Sequence, residues 1–220
     1  MGKRKNVLLI LADQQRLDTV SAYGMNDICK TPHIDPFAHY TMNPSWEVVQ
    51  ALPETINNYH IHKLRVPNIF GLAPRLLLEE AQRVQPDVIL MTGMNSGTTK
   101  IDINLAALNI KDALIEDNMG RKPWNEPILA DAPAAYFATI PVHEIVRSLR
   151  AQKLPVQLEF ASGGYVCNEI FYRAAHAYAG TTTKVGFVHV PLLPEMVFDE
   201  RLARPLEETS AILKAIIERL

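Results

Sequence analysis

The sequence predicts an α/β protein, a single three-layer α/β/α domain with a largely parallel, mixed sheet covered by helices on both faces. Two observations carry this prediction. Short apolar runs alternate with segments of helical periodicity along most of the chain, which is the pattern of sheets covered by helices. The 220 residues also suit one domain. We find no internal repeat or long linker, so we expect one domain spanning residues 1–220.

Six apolar runs predict the strands. They span residues 7–12, 61–66, 88–91, 101–110, 156–160 and 185–190. Ligands of open parallel sheets bind beyond the carboxyl ends of the strands. The segment 93–97 (Gly-Met-Asn-Ser-Gly) follows one of these strands and is therefore expected near a ligand site.

Segments of helical periodicity predict five helices. They span residues 44–52, 73–84, 142–152, 166–178 and 206–220. The first has Asn43 as an N-cap and Pro44 at its first position, a common start for a helix. In the last, apolar residues recur at roughly helical spacing and predict a stripe that faces the core.

Composition limits the classes of partner. Hydrophobic residues make up 48% of the chain, charged residues 21%, and the net charge is −2, which offers no electrostatic reason to bind nucleic acid or an anionic membrane. Cys29 and Cys167 are too few for a disulfide framework, which fits a reducing compartment. The apolar run 7–12 is too short for a signal-peptide core, and no run approaches a membrane span. We expect a cytoplasmic protein.

Cys167 and His189 are the candidate reactive pair. Cys167 follows a glycine-rich turn at the predicted start of a helix, where unpaired N–H groups and the helix dipole favour a thiolate and lower the pKa. His189 lies near the end of a predicted strand, from which it can serve as a general base. A cysteine is also commonly a small core residue, and a histidine between valines is commonly structural. The residues alone permit catalysis without requiring it.

Three longer segments resemble pyrrolidone carboxyl peptidase, the pyroglutamyl peptidase I family of cysteine exopeptidases. They are residues 131–141 (Asp-Ala-Pro-Ala-Ala-Tyr-Phe-Ala-Thr-Ile-Pro), 164–168 (Gly-Tyr-Val-Cys-Asn) and 186–191 (Gly-Phe-Val-His-Val-Pro). Shorter matches lie at residues 43–47 and 107–113. The resemblance runs from about Ile34 to Leu220.

This resemblance implies a mechanism and a substrate class. Cys167 would attack the carbonyl of an N-terminal pyroglutamyl residue, and His189 would act as base and then as acid to the leaving amine. Backbone N–H groups near Cys167 would stabilise the oxyanion. The partners implied are peptides with a blocked N-terminus and further copies of the chain, as a dimer or tetramer. No metal or cofactor is expected.

The sequence departs from the family pattern at several positions. Asn104 stands where the resemblance places the third catalytic residue, a glutamate. An asparagine can orient His189 by accepting its Nδ1–H, but it lacks the charge to stabilise an imidazolium; it is equally open to interpretation as a polar strand residue without a role. Met94 replaces a substrate-binding glutamine. In the family, two aromatic side chains enclose the lactam ring of the substrate. Phe37 matches one of them, and Ile34 stands in place of the other.

The first 37 residues resemble the opening of a sulfatase instead. Asp13 matches an aspartate that helps to hold the sulfatase metal, but the chain contains no Cys/Ser-x-Pro-x-Arg motif. The other metal ligands of that family are missing too. Residues 13–33 are therefore expected to be an inserted surface segment.

Three functions follow from these observations. The leading one is a cysteine exopeptidase that removes pyroglutamyl residues with reduced activity. The second is a weak or inactive homologue that acts as a binding or structural protein. The weakest is a metal-dependent hydrolase related to sulfatases.

Overall fold

A computed structural model describes residues 5–13, 42–197 and 203–220, with the backbone alone for residues 10–13. Most of the predicted surface insert, residues 14–33, lies outside this described part, as do Ile34 and Phe37. None of the helices in the described part is long and apolar enough to cross a membrane.

The described residues form eight strands and five α-helices. The strands are β1 (Lys5–Asp13), β2 (Thr55–Ile56), β3 (Tyr59–Pro67), β4 (Val88–Met94), β5 (Ile101–Leu108), β6 (Ala135–Phe137), β7 (Val156–Ala161) and β8 (Lys184–Val190). The helices are α1 (Pro44–Gln50), α2 (Leu72–Val84), α3 (Val142–Ala151), α4 (Val166–Ala177) and α5 (Leu206–Ile217), with a short 3-10 helix at Pro194–Met196. Every predicted element is present, and only β2, β6 and the 3-10 helix were not predicted.

All eight strands of the described part belong to one sheet. The order is β2-β3-β1-β4-β8-β5-β6, and β7 pairs with β5. The strands β3, β1, β4 and β8 run parallel to one another, and β7 runs parallel to β5. The pairs β2–β3, β5–β8 and β5–β6 are antiparallel. The prediction of a largely parallel, mixed sheet is confirmed.

Helices cover both faces of this sheet because the strand side chains alternate between two apolar cores. On β1, Val7 and Leu9 belong to the core shared with α1, α3 and α5, whereas Leu8 belongs to the core shared with α2 and α4. All three side chains are fully buried, and each stabilises the fold by about 1.5–3 kcal/mol. The three-layer α/β/α prediction is confirmed.

The sheet order brings the ends of several strands together. Gly93 on β4 pairs with His189 on β8, and Asp102 on β5 pairs with the same histidine from the other side. The next strand, β7, ends five residues before α4 begins. The first turn of α4 reaches this point of the sheet, because a Cβ built on Gly93 would lie 3.0 Å from Sγ of Cys167.

Candidate active site

A glycine turn sets the position of Cys167 at the start of α4. Gly163 has a φ of +79°, a left-handed conformation that glycine adopts without strain. Gly164 lies against Asp112, and a Cβ at Gly164 would come within 2.7 Å of the Asp112 carbonyl oxygen. The Asp112 amide in turn donates to the Gly164 carbonyl at 2.8 Å. The turn can only pack this closely with glycine at 164.

The side chain of Asn168 fixes this helix start to the end of β5. Its Oδ1 accepts from the Leu108 amide at 2.9 Å, and its Nδ2 donates to the carbonyls of Leu108 and Ile110 at 2.8 Å each. Asn168 is fully buried. The amide oxygen and both amide N–H groups of Asn168 are hydrogen-bonded, so the residue beside Cys167 is held rigidly.

Asn104 orients the imidazole ring of His189. The Nδ1 atom of His189 lies 3.0 Å from Oδ1 of Asn104, and both residues are buried. The amide oxygen is an acceptor, so the histidine carries its proton on Nδ1 and leaves Nε2 free as an acceptor. This is the tautomer that a general base needs.

Cys167 and His189 converge on Gly93. A Cβ built on Gly93 would lie 3.0 Å from Sγ of Cys167 and 3.1 Å from Cδ2 of His189, with the Phe187 ring at 3.1 Å. Because Nδ1 faces Asn104, the opposite edge of the imidazole, with Cδ2 and Nε2, faces the thiol. The structure thus brings together Cys167, His189 and Asn104, as the sequence predicted.

Gly93→Ala is expected to reduce reactivity at this site by about tenfold or more. The added methyl group would push on the thiol and the imidazole together, and a displacement of about 1 Å between reacting groups typically costs up to a hundredfold in rate. The measurement is the rate of Cys167 alkylation by iodoacetamide, with peptide mass spectrometry to identify the site. Gly97→Ala in the neighbouring loop is the control, since its added Cβ would meet only the Asn95 side chain at 3.2 Å. An unchanged rate in Gly93→Ala would contradict the convergence described here.

A cavity of about 420 Å³ opens onto the pair. Its lining includes Met94, Glu159, Ser162 and Tyr165, together with Cys167 and His189. Met94 therefore lies where the sequence placed a substrate-binding residue. The Oγ of Ser162 is buried without a hydrogen-bond partner among the described residues.

The two reactive groups are held in their neutral forms. Burial raises the pKa of the Cys167 thiol to about 12, and its own backbone N–H lowers that pKa only in part. Burial also lowers the pKa of His189 to about 4. The expectation that the helix start lowers the pKa of Cys167 is therefore wrong, because desolvation of the thiolate outweighs the nearby N–H groups.

The described residues contain no group of three or more His, Cys, Asp or Glu side chains that could hold a metal ion. The side chain of Asp13, the residue that resembles a sulfatase ligand, lies outside the described part, as do Ile34 and Phe37 of the predicted substrate site.

Sequence reasoning missed two residues of the site. Asn168 directly follows the cysteine, and a polar amide at this point of the helix could have indicated a residue that anchors the start of α4. Glu159 carries a charge on the cavity-facing side of an apolar strand, which is a second such signal. The in-register contact of Glu159 with β5 depends on the strand order, which the sequence pattern does not contain.

The sequence of the chain is similar to those of proteins of one family. The family model described as "Pyroglutamyl peptidase" matches residues 31–219. The "Pyrrolidone-carboxylate peptidase" of Thermococcus kodakarensis is 39% identical over 188 residues, which cover 83% of this chain and 88% of the relative. The "Pyrrolidone-carboxylate peptidase" of Pseudomonas fluorescens is 36% identical over 83% of this chain and 87% of its own length.

Solved structures show the same fold. The pyroglutamyl peptidase I of Bacillus amyloliquefaciens matches with a TM-score of 0.83 at 28% identity, over 98% of this chain and 95% of that one. The pyrrolidone carboxyl peptidase of Thermococcus litoralis matches with a TM-score of 0.82 at 25% identity, over 97% and 92%. The match to residues 31–219 and the shared fold show that the chain belongs to the pyroglutamyl peptidase family.

Proposed function

We propose that this protein is a cysteine exopeptidase that removes an N-terminal pyroglutamyl residue from peptides. The observation that carries the proposal is that Cys167 and His189 line one cavity, with Asn104 buried behind His189. Cys167 and His189 flank the same point beside Gly93, and Asn104 accepts from His189 at 3.0 Å. A nucleophile, a base and an orienting group in this order are what acyl transfer to a thiol needs.

The first half of the reaction forms a thioester. Because both groups rest in neutral forms, the proton of the Cys167 thiol moves to Nε2 of His189 as the sulfur attacks the scissile carbonyl. The first N–H of α4 to bond the Tyr165 carbonyl is that of Asn168. The N–H groups of Val166 and Cys167 precede it and are available to the oxyanion.

The second half of the reaction returns the enzyme to its starting state. The imidazolium of His189 gives its proton to the leaving amine, and the thioester remains on Cys167. A water molecule, deprotonated by His189, then attacks the thioester, and the imidazolium returns this proton to Sγ of Cys167 as the C–S bond breaks and pyroglutamate leaves. Asn104 holds the same tautomer of His189 throughout and exchanges no proton.

A second candidate function is a binding or structural role with little catalysis. Three observations favour it. Asn104 is neutral and cannot stabilise the imidazolium by charge, and burial raises the pKa of the Cys167 thiol to about 12, which disfavours the reactive thiolate at neutral pH. Met94 also lines the cavity with a side chain that offers only a weak acceptor to the lactam.

Hydrolysis of a pyroglutamyl chromogenic amide, compared with the matched prolyl amide, tests the proposal. We expect slow turnover of the pyroglutamyl amide, complete loss of turnover after stoichiometric alkylation of Cys167, and no effect of a chelator. Alkylation without any prior turnover would support the binding role instead. Loss of activity to a chelator would support a metal-dependent hydrolase.

A further inference from the structure

A carboxylate on the strand next to β5 faces the reactive pair. Glu159 on β7 pairs in parallel register with Asn104 on β5. Side chains of residues paired in this way point to the same face of the sheet. Glu159 also lines the cavity together with Cys167 and His189, which places all four side chains on one face.

Two polar groups in this arrangement have no partner. The Nδ2 of Asn104 is buried, and no residue that the structure describes accepts a hydrogen bond from it. A buried donor without an acceptor costs about 1–3 kcal/mol and is uncommon in native proteins. No hydrogen bond or ion pair joins the Glu159 carboxylate to the described part of the chain either. A free donor and a free acceptor thus occupy neighbouring positions on adjacent strands.

We propose that Glu159 is a positioning residue that supplies, through Asn104, the negative charge that stabilises the protonated His189. The Glu159 carboxylate accepts from Asn104 Nδ2, and Asn104 Oδ1 accepts from His189 Nδ1. The inference deepens the proposed function, because it rests on Cys167 and His189 being the reactive pair.

The distances allow this contact. Neighbouring strands lie about 4.7–4.9 Å apart, and a glutamate carboxylate extends far enough from its Cβ to reach a side chain on the next strand by a change of rotamer. The bond would polarise the amide and strengthen the acceptor that faces the imidazole. Glu159 keeps its charge and exchanges no proton, since every proton transfer of the reaction passes through Nε2 of His189.

The other titratable groups around the pair do not offer the same charge. Asp102 pairs with His189 across the strands, but its carboxylate already accepts from Asn95 Nδ2 at 2.7 Å and from Gln157 Nε2 at 2.8 Å. Tyr165, at the start of α4, is neutral because burial holds the pKa of its hydroxyl well above the usual value. No lysine or arginine lines the described cavity. Glu159 is therefore the carboxylate in this cavity wall with its acceptor oxygens free.

The test compares Glu159→Gln with the parent and with Glu144→Gln. Glu144 is an exposed residue of α3, a helix on the opposite face of the sheet, so it loses the same charge far from the site. The measurement is the rate of Cys167 alkylation by iodoacetamide between pH 6 and 10, resolved by peptide mass spectrometry. The reagent is uncharged, so a change in local charge does not alter its approach. We expect Glu159→Gln to slow alkylation at pH 8 by about tenfold, the effect of about one pKa unit.

A double-variant comparison separates this chain of hydrogen bonds from Glu159 through Asn104 to His189, the relay, from a general effect of charge. In an Asn104→Ala background, Glu159→Gln should have no further effect, because the link between the carboxylate and His189 is gone. An equal slowing in both backgrounds would overturn the relay, as would a Glu159→Gln profile that matches those of the parent and Glu144→Gln. Circular dichroism melting of each variant confirms that it is folded.

Alkylation does not require turnover, so this test is independent of substrate hydrolysis. Failure of the proposed function appears as the absence of pyroglutamate release by the parent. Failure of the proposed role of Glu159 appears as an alkylation rate with the same pH dependence in Glu159→Gln as in the parent.

Discussion

Cys167→Ser is expected to lower kcat/KM for a pyroglutamyl chromogenic amide by about a thousandfold or more. A hydroxyl is a far weaker nucleophile than a thiol at neutral pH and needs a stronger base to activate it. His189, with its pKa lowered to about 4, is a weak base. The substitution exchanges one atom at the edge of the cavity, so the melting temperature should change by no more than a few degrees.

The matched control is Cys29→Ser. Cys29 precedes the residues that the family model matches, 31–219, and belongs to the segment that the sequence predicts to be an insert. Its replacement should leave kcat/KM within about twofold of the parent, as expected of a substitution away from the site. Similar losses in the two variants would show that Cys167 is not the nucleophile.

The main elements of the fold could be predicted because their signals are local. On β1, three consecutive apolar residues serve two cores, with Val7 and Leu9 in one and Leu8 in the other. A strand between two helical layers needs such a run, and the sequence displays it directly. The start of α1 was equally readable, since Asn43 accepts from the Ser45 amide at 3.1 Å ahead of a proline at the first helical position.

The elements that were missed depend on distant partners. The strand β2 has two residues and pairs with β3, and β6 has three and pairs with β5. Segments this short show no periodicity of their own, and their conformation comes from the neighbouring strand. The predicted strand 101–110 was two residues too long. Leu108 is the last residue of β5 paired with β6, and the amide of Ile110 bonds the Leu108 carbonyl within a turn.

The candidate site was predicted in its members but not in its electrostatics. The family resemblance, and not the residues alone, was the reason to expect Cys167, His189 and Asn104 in one cluster, and the structure places Asn104 against His189 and Cys167 beside it. The pKa of Cys167 could not be read from the sequence, because it depends on how deeply the folded chain buries the thiol. The role inferred for Glu159 likewise depends on β7 being the neighbour of β5.

Asn104→Glu combined with Glu159→Gln is expected to make Cys167 alkylation faster by about tenfold or more below pH 7. A carboxylate at 104 would contact His189 Nδ1 directly, and an opposite charge at about 4–6 Å shifts a pKa by about 1–3 units toward the charged form. The carboxylate stabilises the imidazolium of His189, and the imidazolium in turn stabilises the thiolate of Cys167. Turnover should rise by less, because Met94 would still hold the lactam poorly.

The second substitution is needed because Asn104 and Glu159 are paired in register. Asn104→Glu alone places two carboxylates side by side, and one of them will hold a proton near neutral pH. The single variant should therefore accelerate alkylation less than the double variant does. Since position 104 is fully buried, the larger side chain is also expected to cost about 1–3 kcal/mol of stability, measured by thermal unfolding.

Asn104→Gln separates the effect of charge from that of size. It adds the same methylene group as glutamate without a charge, so it should share the loss of stability and show no acceleration. Asn104→Ala removes the acceptor and should slow alkylation relative to the parent. If all these variants alkylate with the pH profile of the parent, Asn104 does not act on His189 in solution. The chain would then be better explained as a member of the family that keeps its fold for binding, since a Cys–His pair without an orienting group retains the geometry of the site but little of its rate.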